Sequence, residues 1–178
     1  MWIFGYGSLI WRPDFSYEER VLGFVQGWRR GFYQGSYDHR GVPGNPGRVV
    51  TLVPHVKAFT WGVAYRLNPD EAPAILEALD YREKGGYDRL KLPIYKGDPS
   101  INPRVSVPEA LTYVATEENP HFLGPAPVEE IAEQVVSAEG PSGPNREYVL
   151  NLAASLQRFE VVDDHVFAVA KAVRALLE

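Results

Sequence analysis

Residues 21–33 form an apolar and aromatic run interrupted at regular intervals by Gly23, Gly27 and Gly31. A strand of this composition favours extension, whereas interior glycines mark bulges, sharp bends or close approach by other backbone. Repeated bends in one long strand suit a small barrel better than a flat open sheet. Further strand-like runs follow a short one at 2–4, lying at 49–53, 59–67, 90–95 and 110–115. The last third changes period. Apolar residues recur at three- and four-residue spacing in Val128–Ser137, 145–159 and Asp164–Leu177, which predicts helices. Strands first and helices last argue for an α+β fold rather than a doubly wound sheet.

One helix interrupts the strands. Asn68 is its expected N-cap, with Pro69 at the first helical position and Asp70 and Glu71 at the positive end of the dipole. Ile75, Leu76 and Leu79 supply the apolar stripe, and Gly85-Gly86 the stop. The glycine- and proline-rich stretch 35–48 reads as a long loop, and long ordered loops in compact domains are often functional. The pieces 119–127 and 140–144 read as connections.

At 178 residues the chain is most simply one domain, 1–178, large enough to bury a core. No apolar run approaches the roughly 20 residues that span a bilayer, and the N-terminus lacks the pattern of a secretory signal. These features predict no membrane partner. The absence of cysteine excludes disulfides, thiolate chemistry and cysteine-based zinc sites, and fits a cytoplasmic location. A net charge of −5 argues against a nucleic-acid partner, which calls for a basic stripe.

Two places carry chemistry. Tyr6-Gly7-Ser8-Leu9 follows the first apolar run as a glycine-rich turn, whose uncovered N–H groups form a concavity for an anion. Gly5 to Ile10 begins like a dinucleotide fingerprint, but the third glycine is missing and Trp11-Arg12-Pro13 stands where a helix should open. No phosphate-loop GKS or GKT triplet exists, and Ser8 lacks the nucleophile-elbow context. His39, His55, His121 and His165 are scattered, with no pair at metal-ligand spacing. No cofactor or metal is expected.

The second place is Glu83, at the end of the interrupting helix. A carboxylate there faces the negative end of the dipole, where a cation would serve the helix better. Tyr81 and Tyr87 flank it and can desolvate it, while Lys84 or Arg82 could instead pair with it. An anion cradle with a lone acid points to a metal-free enzyme acting on a small carboxylate-bearing substrate.

The two motifs stand in a longer ordered series: Phe4 to Trp11, Gln34-Gly35-Ser36, Asp38 to Gly44, Pro46 to Val53, Trp61 to Arg66 and Arg82 to Tyr87. Tyr113, Leu123 to Pro127 and Gly140 to Gly143 continue it. Together they resemble the ChaC-family γ-glutamylcyclotransferases over essentially the whole chain, most closely the short glutathione-specific second type. The resemblance implies a small mixed β-barrel with helices packed around it. It implies cleavage of glutathione at its γ-glutamyl bond to 5-oxoproline and cysteinylglycine. It assigns Glu83 as the catalytic glutamate and the segment Tyr6, Gly7, Ser8 and Leu9 as the substrate loop, with Ile3, Phe4 and Gly5 beside it.

That reaction explains why so few residues suffice. The substrate's own α-amine attacks its own γ-carbonyl, so the enzyme needs no nucleophile. Holding the folded γ-glutamyl arm is worth roughly 7–11 kcal/mol in favourable cases. An α-amine of pKa about 8 is mostly protonated at neutral pH, so a base, Glu83, takes its proton and returns it to the departing nitrogen. Tyr113 is expected to line the pocket. Arg40 and Arg48 are candidates for the glycine carboxylate of glutathione, with loop anchoring as the alternative. Asp80 shares a helix face with Glu83 and is expected to be structural. Other γ-glutamyl substrates, and a non-catalytic γ-glutamyl- or protein-binding module, are the competing readings.

Overall fold

In a computed structural model, which describes residues 1–83 and 86–178, the chain folds around a closed five-stranded mixed barrel. The strands are β1 (Trp2–Gly5), β2 (Glu19–Ser36), β3 (Gly47–Arg66), β4 (Asp88–Lys96) and β5 (Arg104–Val114), in the order β1-β3-β2-β4-β5. β1 runs antiparallel to β3, with Ile3 opposite Tyr65, and parallel to β5, with Ile3 opposite Leu111. β4 is antiparallel to β5, and its register slips around Pro93, which has no N–H for the ladder. The predicted barrel is therefore present. Gly27 takes a left-handed φ of 80°, and a side chain at Gly23 would lie 2.5 Å from Ile94 Cγ2 and 2.8 Å from the Tyr95 carbonyl oxygen of β4.

Two strand expectations need correction. The runs 49–53 and 59–67 are parts of one strand, β3. The intervening residues, beginning with Pro54, are mostly exposed, so they carry no apolar alternation although the strand continues. The loop expected at 35–48 shrinks to 37–46, because β2 and β3 run into it from both ends.

The chain divides into two compact units. The first comprises Met1–Arg29 and Leu52–Asn119. It contains helix α1 (Ala72–Arg82), which lays Ala72 and Leu79 against Ile3, Leu67 and Tyr113. Ile75, Leu76, Tyr87, Leu9 and Phe15 pack on the same cluster. Asn68 is not the cap of this helix. Its Oδ1 accepts from the Asp70 N–H at 2.9 Å, closing a turn that precedes the helix, so Glu71 becomes the N-cap and Pro73 enters the first turn.

The second unit comprises Arg30–Thr51 and Pro120–Glu178. Its helices α2 (Val128–Ser137), α3 (Asn145–Arg158) and α4 (Asp164–Leu177) match their predicted spans to within a residue. α4 packs on α2 and α3 through Val166, Val169, Ala170 and Val173. Asp163 caps α4 by accepting from the Val166 N–H and also receives the buried Arg30 guanidinium at 2.7 Å. The connection at 140–144 holds a short hairpin, β6 (Glu139–Gly140) with β7 (Gly143–Pro144). Among the described residues no helix is long and apolar enough to cross a membrane.

Candidate active site

The turn after β1 is built by tight packing. A side chain at Gly62 would meet the Gly5 carbonyl oxygen at 2.4 Å and the Phe4 ring at 2.5 Å, so β3 presses bare backbone onto β1. A side chain at Gly5 would overlap Leu9 Cβ at 2.5 Å, which lets the chain fold back at once into a 3-10 turn over Ser8–Ile10. The Ile10 N–H donates to the Gly7 carbonyl at 3.0 Å, and that of Arg12 to Ser8 at 2.8 Å. The turn's own bonds thus begin at Ile10 and leave the N–H groups of Gly7, Ser8 and Leu9 unused within it. The Tyr65 hydroxyl fastens the turn by donating to the Leu9 carbonyl at 2.6 Å. Burial, the largest cause, pushes that hydroxyl up to about 12; Arg20 pulls it down and Tyr17 raises it.

Glu83 stands as the C-cap of α1, its N–H donating to the Leu79 carbonyl at 2.8 Å. It lines a concavity of about 260 Å³ with Asp80, Gly86, Tyr87, Arg89 and Tyr113. Lys84 and Gly85, expected as a cation beside Glu83 and as half of the helix stop, lie outside the described residues. Gly86 takes a left-handed φ of 88° and its carbonyl accepts from Asn119 Nδ2 at 2.9 Å.

Opposite the helix end, the β4–β5 register sets Arg89 across from Tyr113. The Tyr113 hydroxyl donates to Asp80 Oδ1 at 2.7 Å, and Arg89 Nε donates to the same oxygen at 2.8 Å. The other Asp80 oxygen pairs with a second nitrogen of Arg89. The Arg89 guanidinium carbon lies 6.0 Å from the centre of the Tyr113 ring. Burial is the largest influence on the Tyr113 hydroxyl and raises its pKa; the Arg89 charge and hydrogen bond pull it down, and the Glu83 charge pushes it up again.

The concavity and the turn are tied together twice. The Tyr6 hydroxyl donates to the Tyr113 carbonyl at 2.6 Å, and Arg82, next to Glu83, donates from Nη2 to Ser8 Oγ at 2.7 Å. Arg82 also faces Asp14 at 3.7 Å. Of the expected site residues, Glu83 and Tyr113 line one concavity, and Tyr6 and Ser8 are bonded to its surroundings. Ile3 and Phe4 are buried side chains, so their part in binding would fall to the backbone.

Arg40 and Arg48 belong to the second unit, and the loop-anchoring alternative accounts for both. Arg40 donates to the Pro144 carbonyl at 3.1 Å and faces Glu147 at 3.6 Å. Arg48 donates to Gln134 Oε1 at 2.7 Å and to the carbonyls of Phe32 and Gly124 at 2.9 Å. Desolvation lowers its guanidinium from the ordinary value, against the raising charges of Glu130 and Tyr33. Asn145 clamps the same residue, accepting from the Arg48 N–H at 2.7 Å and donating to its carbonyl at 2.9 Å.

Sequence reasoning missed Arg89. Its only signal is strand register, which places it across from Tyr113 and cannot be read from residue spacing along one strand.

Comparison with known proteins follows the same lines. A model of the ChaC-like protein family matches residues 1–176. The human glutathione-specific γ-glutamylcyclotransferase 1 is 45% identical over 181 residues, spanning 99% of this chain and 80% of that protein. The γ-glutamylcyclotransferase 2-3 of Arabidopsis thaliana is 43% identical over 182 residues, spanning 99% of this chain and 90% of that protein. A crystal structure of a yeast γ-glutamyl cyclotransferase specific to glutathione superposes with a TM-score of 0.88 at 29% identity, covering 98% of this chain and 96% of that one.

Proposed function

This chain belongs to the ChaC-like protein family, and on that premise we propose that it is a glutathione-specific γ-glutamylcyclotransferase, a lyase that releases 5-oxoproline and cysteinylglycine. One observation carries the reading: in a chain alike end to end to such enzymes, Glu83 lines a concavity at the free end of α1.

The chemistry then follows from the positions. Glutathione enters with its γ-glutamyl arm folded, so that the α-nitrogen faces its own γ-carbonyl carbon. Glu83 takes a proton from the α-ammonium and frees the lone pair for attack. A carbon–nitrogen bond forms, closing a five-membered ring through a tetrahedral oxyanion. As the oxyanion collapses, the bond to the cysteinyl nitrogen breaks. Glu83 hands its proton to the departing nitrogen and then takes a second one from the ring nitrogen, leaving a neutral lactam N–H; that second proton passes on to the released amine or to water. The reaction is intramolecular, so the enzyme's main contribution is to hold one conformer. The N–H groups of Gly7, Ser8 and Leu9, which the turn's own bonds leave unused, suit the substrate α-carboxylate. Nothing in this sequence of steps calls for a nucleotide or a metal, and the cysteine-free chain suits a reducing compartment, so we place the enzyme in the cytosol as a single catalytic domain.

The test is product analysis after mixing the purified protein with reduced glutathione, with γ-glutamyl-alanine in parallel. Release of 5-oxoproline and cysteinylglycine from glutathione alone supports the reading. Turnover of both substrates makes the chain a general γ-glutamylcyclotransferase, and turnover of neither favours a γ-glutamyl-binding module.

A further inference from the structure

A phenol has one proton to donate, and that of Tyr113 is committed. Its hydroxyl donates to Asp80 Oδ1 at 2.7 Å, and Asp80 is in turn gripped through both oxygens by Arg89. All three side chains line the concavity that holds Glu83. With its proton directed at Asp80, the Tyr113 oxygen has only lone pairs to offer; the Arg89 hydrogen bond takes one and leaves the other for a ligand. Asp80 has donors on both oxygens, so it is occupied as a partner and is not a second base beside Glu83.

Resting on the reading of the site given above, we propose that Asp80 and Arg89 are positioning residues that fix the Tyr113 hydroxyl oxygen as a hydrogen-bond acceptor, and that this acceptor holds the substrate's primary α-amino group beside Glu83. A primary ammonium has three N–H bonds. One proton goes to Glu83, and a second N–H directed at Tyr113 orients the lone pair that attacks. The arrangement selects for a free α-amine. An absent amine leaves the remaining Tyr113 lone pair without a ligand donor, and an acylated one keeps a single N–H, which cannot serve both Glu83 and Tyr113. Arg89 has a further effect in this arrangement. Asp80 and Glu83 would make the concavity doubly negative, repelling a substrate that carries two carboxylates, and Arg89 offsets one of those charges.

The test pairs two variants with two ligands. Glutaryl-cysteinylglycine is glutathione without its α-amine and keeps every other group. Its inhibition constant and the kcat/KM for glutathione are measured for the wild type, Tyr113→Phe and Asp80→Asn. The expected result is a fall in glutathione kcat/KM of about tenfold or more in Tyr113→Phe, the size of one hydrogen bond to a charged group. Asp80→Asn should lose less, and the inhibition constant of the amine-free ligand should stay within about twofold in both variants. A purely structural role would weaken both ligands alike, and that result overturns the proposal. So does unchanged kcat/KM in Tyr113→Phe. Because Asp80→Asn is a surface-proximal change, it keeps the test decisive should Tyr113→Phe fold poorly. A wild type that does not turn over glutathione refutes the cyclotransferase reading itself, before either variant is compared.

Discussion

Arg82 Nη2 donates to Ser8 Oγ at 2.7 Å, so the residue before Glu83 is bonded to the middle of the glycine-rich turn. The putting together of acid and turn therefore depends on a side chain that performs no chemistry. Arg82→Met should lower kcat/KM for glutathione by about tenfold or more, the worth of a hydrogen bond to a charged group. Its cost in stability should stay near ~1 kcal/mol, because the arginine is partly exposed. Steady-state kinetics and a thermal melt read the two effects separately; full activity in Arg82→Met would show that the tie carries nothing.

Glu83→Gln keeps the shape of the side chain and removes the base. We expect kcat to fall by roughly 10²–10⁴-fold, the usual contribution of a positioned general base. Calorimetric binding of glutathione should survive in the same variant, and circular dichroism should be unchanged. Undiminished kcat would sink the proposed mechanism.

The Tyr65 hydroxyl, raised by burial from 10.0 to about 12, makes the fold sensitive to alkali. Above pH 10 the unfolded chain releases this proton while the folded chain keeps it, so unfolding is favoured progressively as pH rises towards 12. Below the unfolded value the contribution is fully present. Denaturant titrations across this window should show falling stability, and Tyr65→Phe should flatten the slope. An equal slope in wild type and variant would remove Tyr65 as its source.

Gly62→Ala inserts a methyl group against the Gly5 carbonyl and the Phe4 ring. The backbone of β1 must shift, at a cost of about 1–3 kcal/mol, and the turn that follows it moves as well. Loss of thermal stability should therefore be accompanied by loss of activity in folded protein. A variant that melts lower with full kcat/KM would uncouple the two.

Asn145→Ala strips both partners from the Arg48 backbone, leaving two buried polar groups unpaired. Each such group costs about 1–3 kcal/mol. The denaturation midpoint should drop accordingly. A change below ~0.5 kcal/mol, the scale of an ordinary surface substitution, would mean that water replaces the amide.

How much of this was legible in the chain differs by level. Gly23 and Gly27 announced the bent strand because a bend leaves its mark on the residue that makes it. α2 and α4 were legible because their apolar stripes repeat locally. Glu83 stood out as an acid at the wrong end of a helix. Asp80 was legible as its neighbour on the helix and Tyr113 through the resemblance, whereas Arg89 was not, since it meets Tyr113 only through the register of β4 on β5. Arg40 and Arg48 show the converse. Their charge was plain in the sequence, but the carbonyls of Pro144, Phe32 and Gly124 that absorb it became adjacent only on folding. Asn68 was misread as the helix cap, because an asparagine that closes an Asx turn ahead of a helix leaves the same mark on the sequence as one that caps it.

The pairing of Ile3 with Leu111 joins the first strand of the barrel to the last. A ring of strands has no edge, but this one closes only when its first strand meets one about a hundred residues further on, and long-range pairing of this kind slows folding. Until β5 is in place, β1 and β4 each present an unpaired row of N–H and C=O groups, open to any passing strand. Loss or loosening of β5 would therefore do more than empty the concavity beside Glu83: it would turn a self-contained ring into a sheet with two adhesive margins.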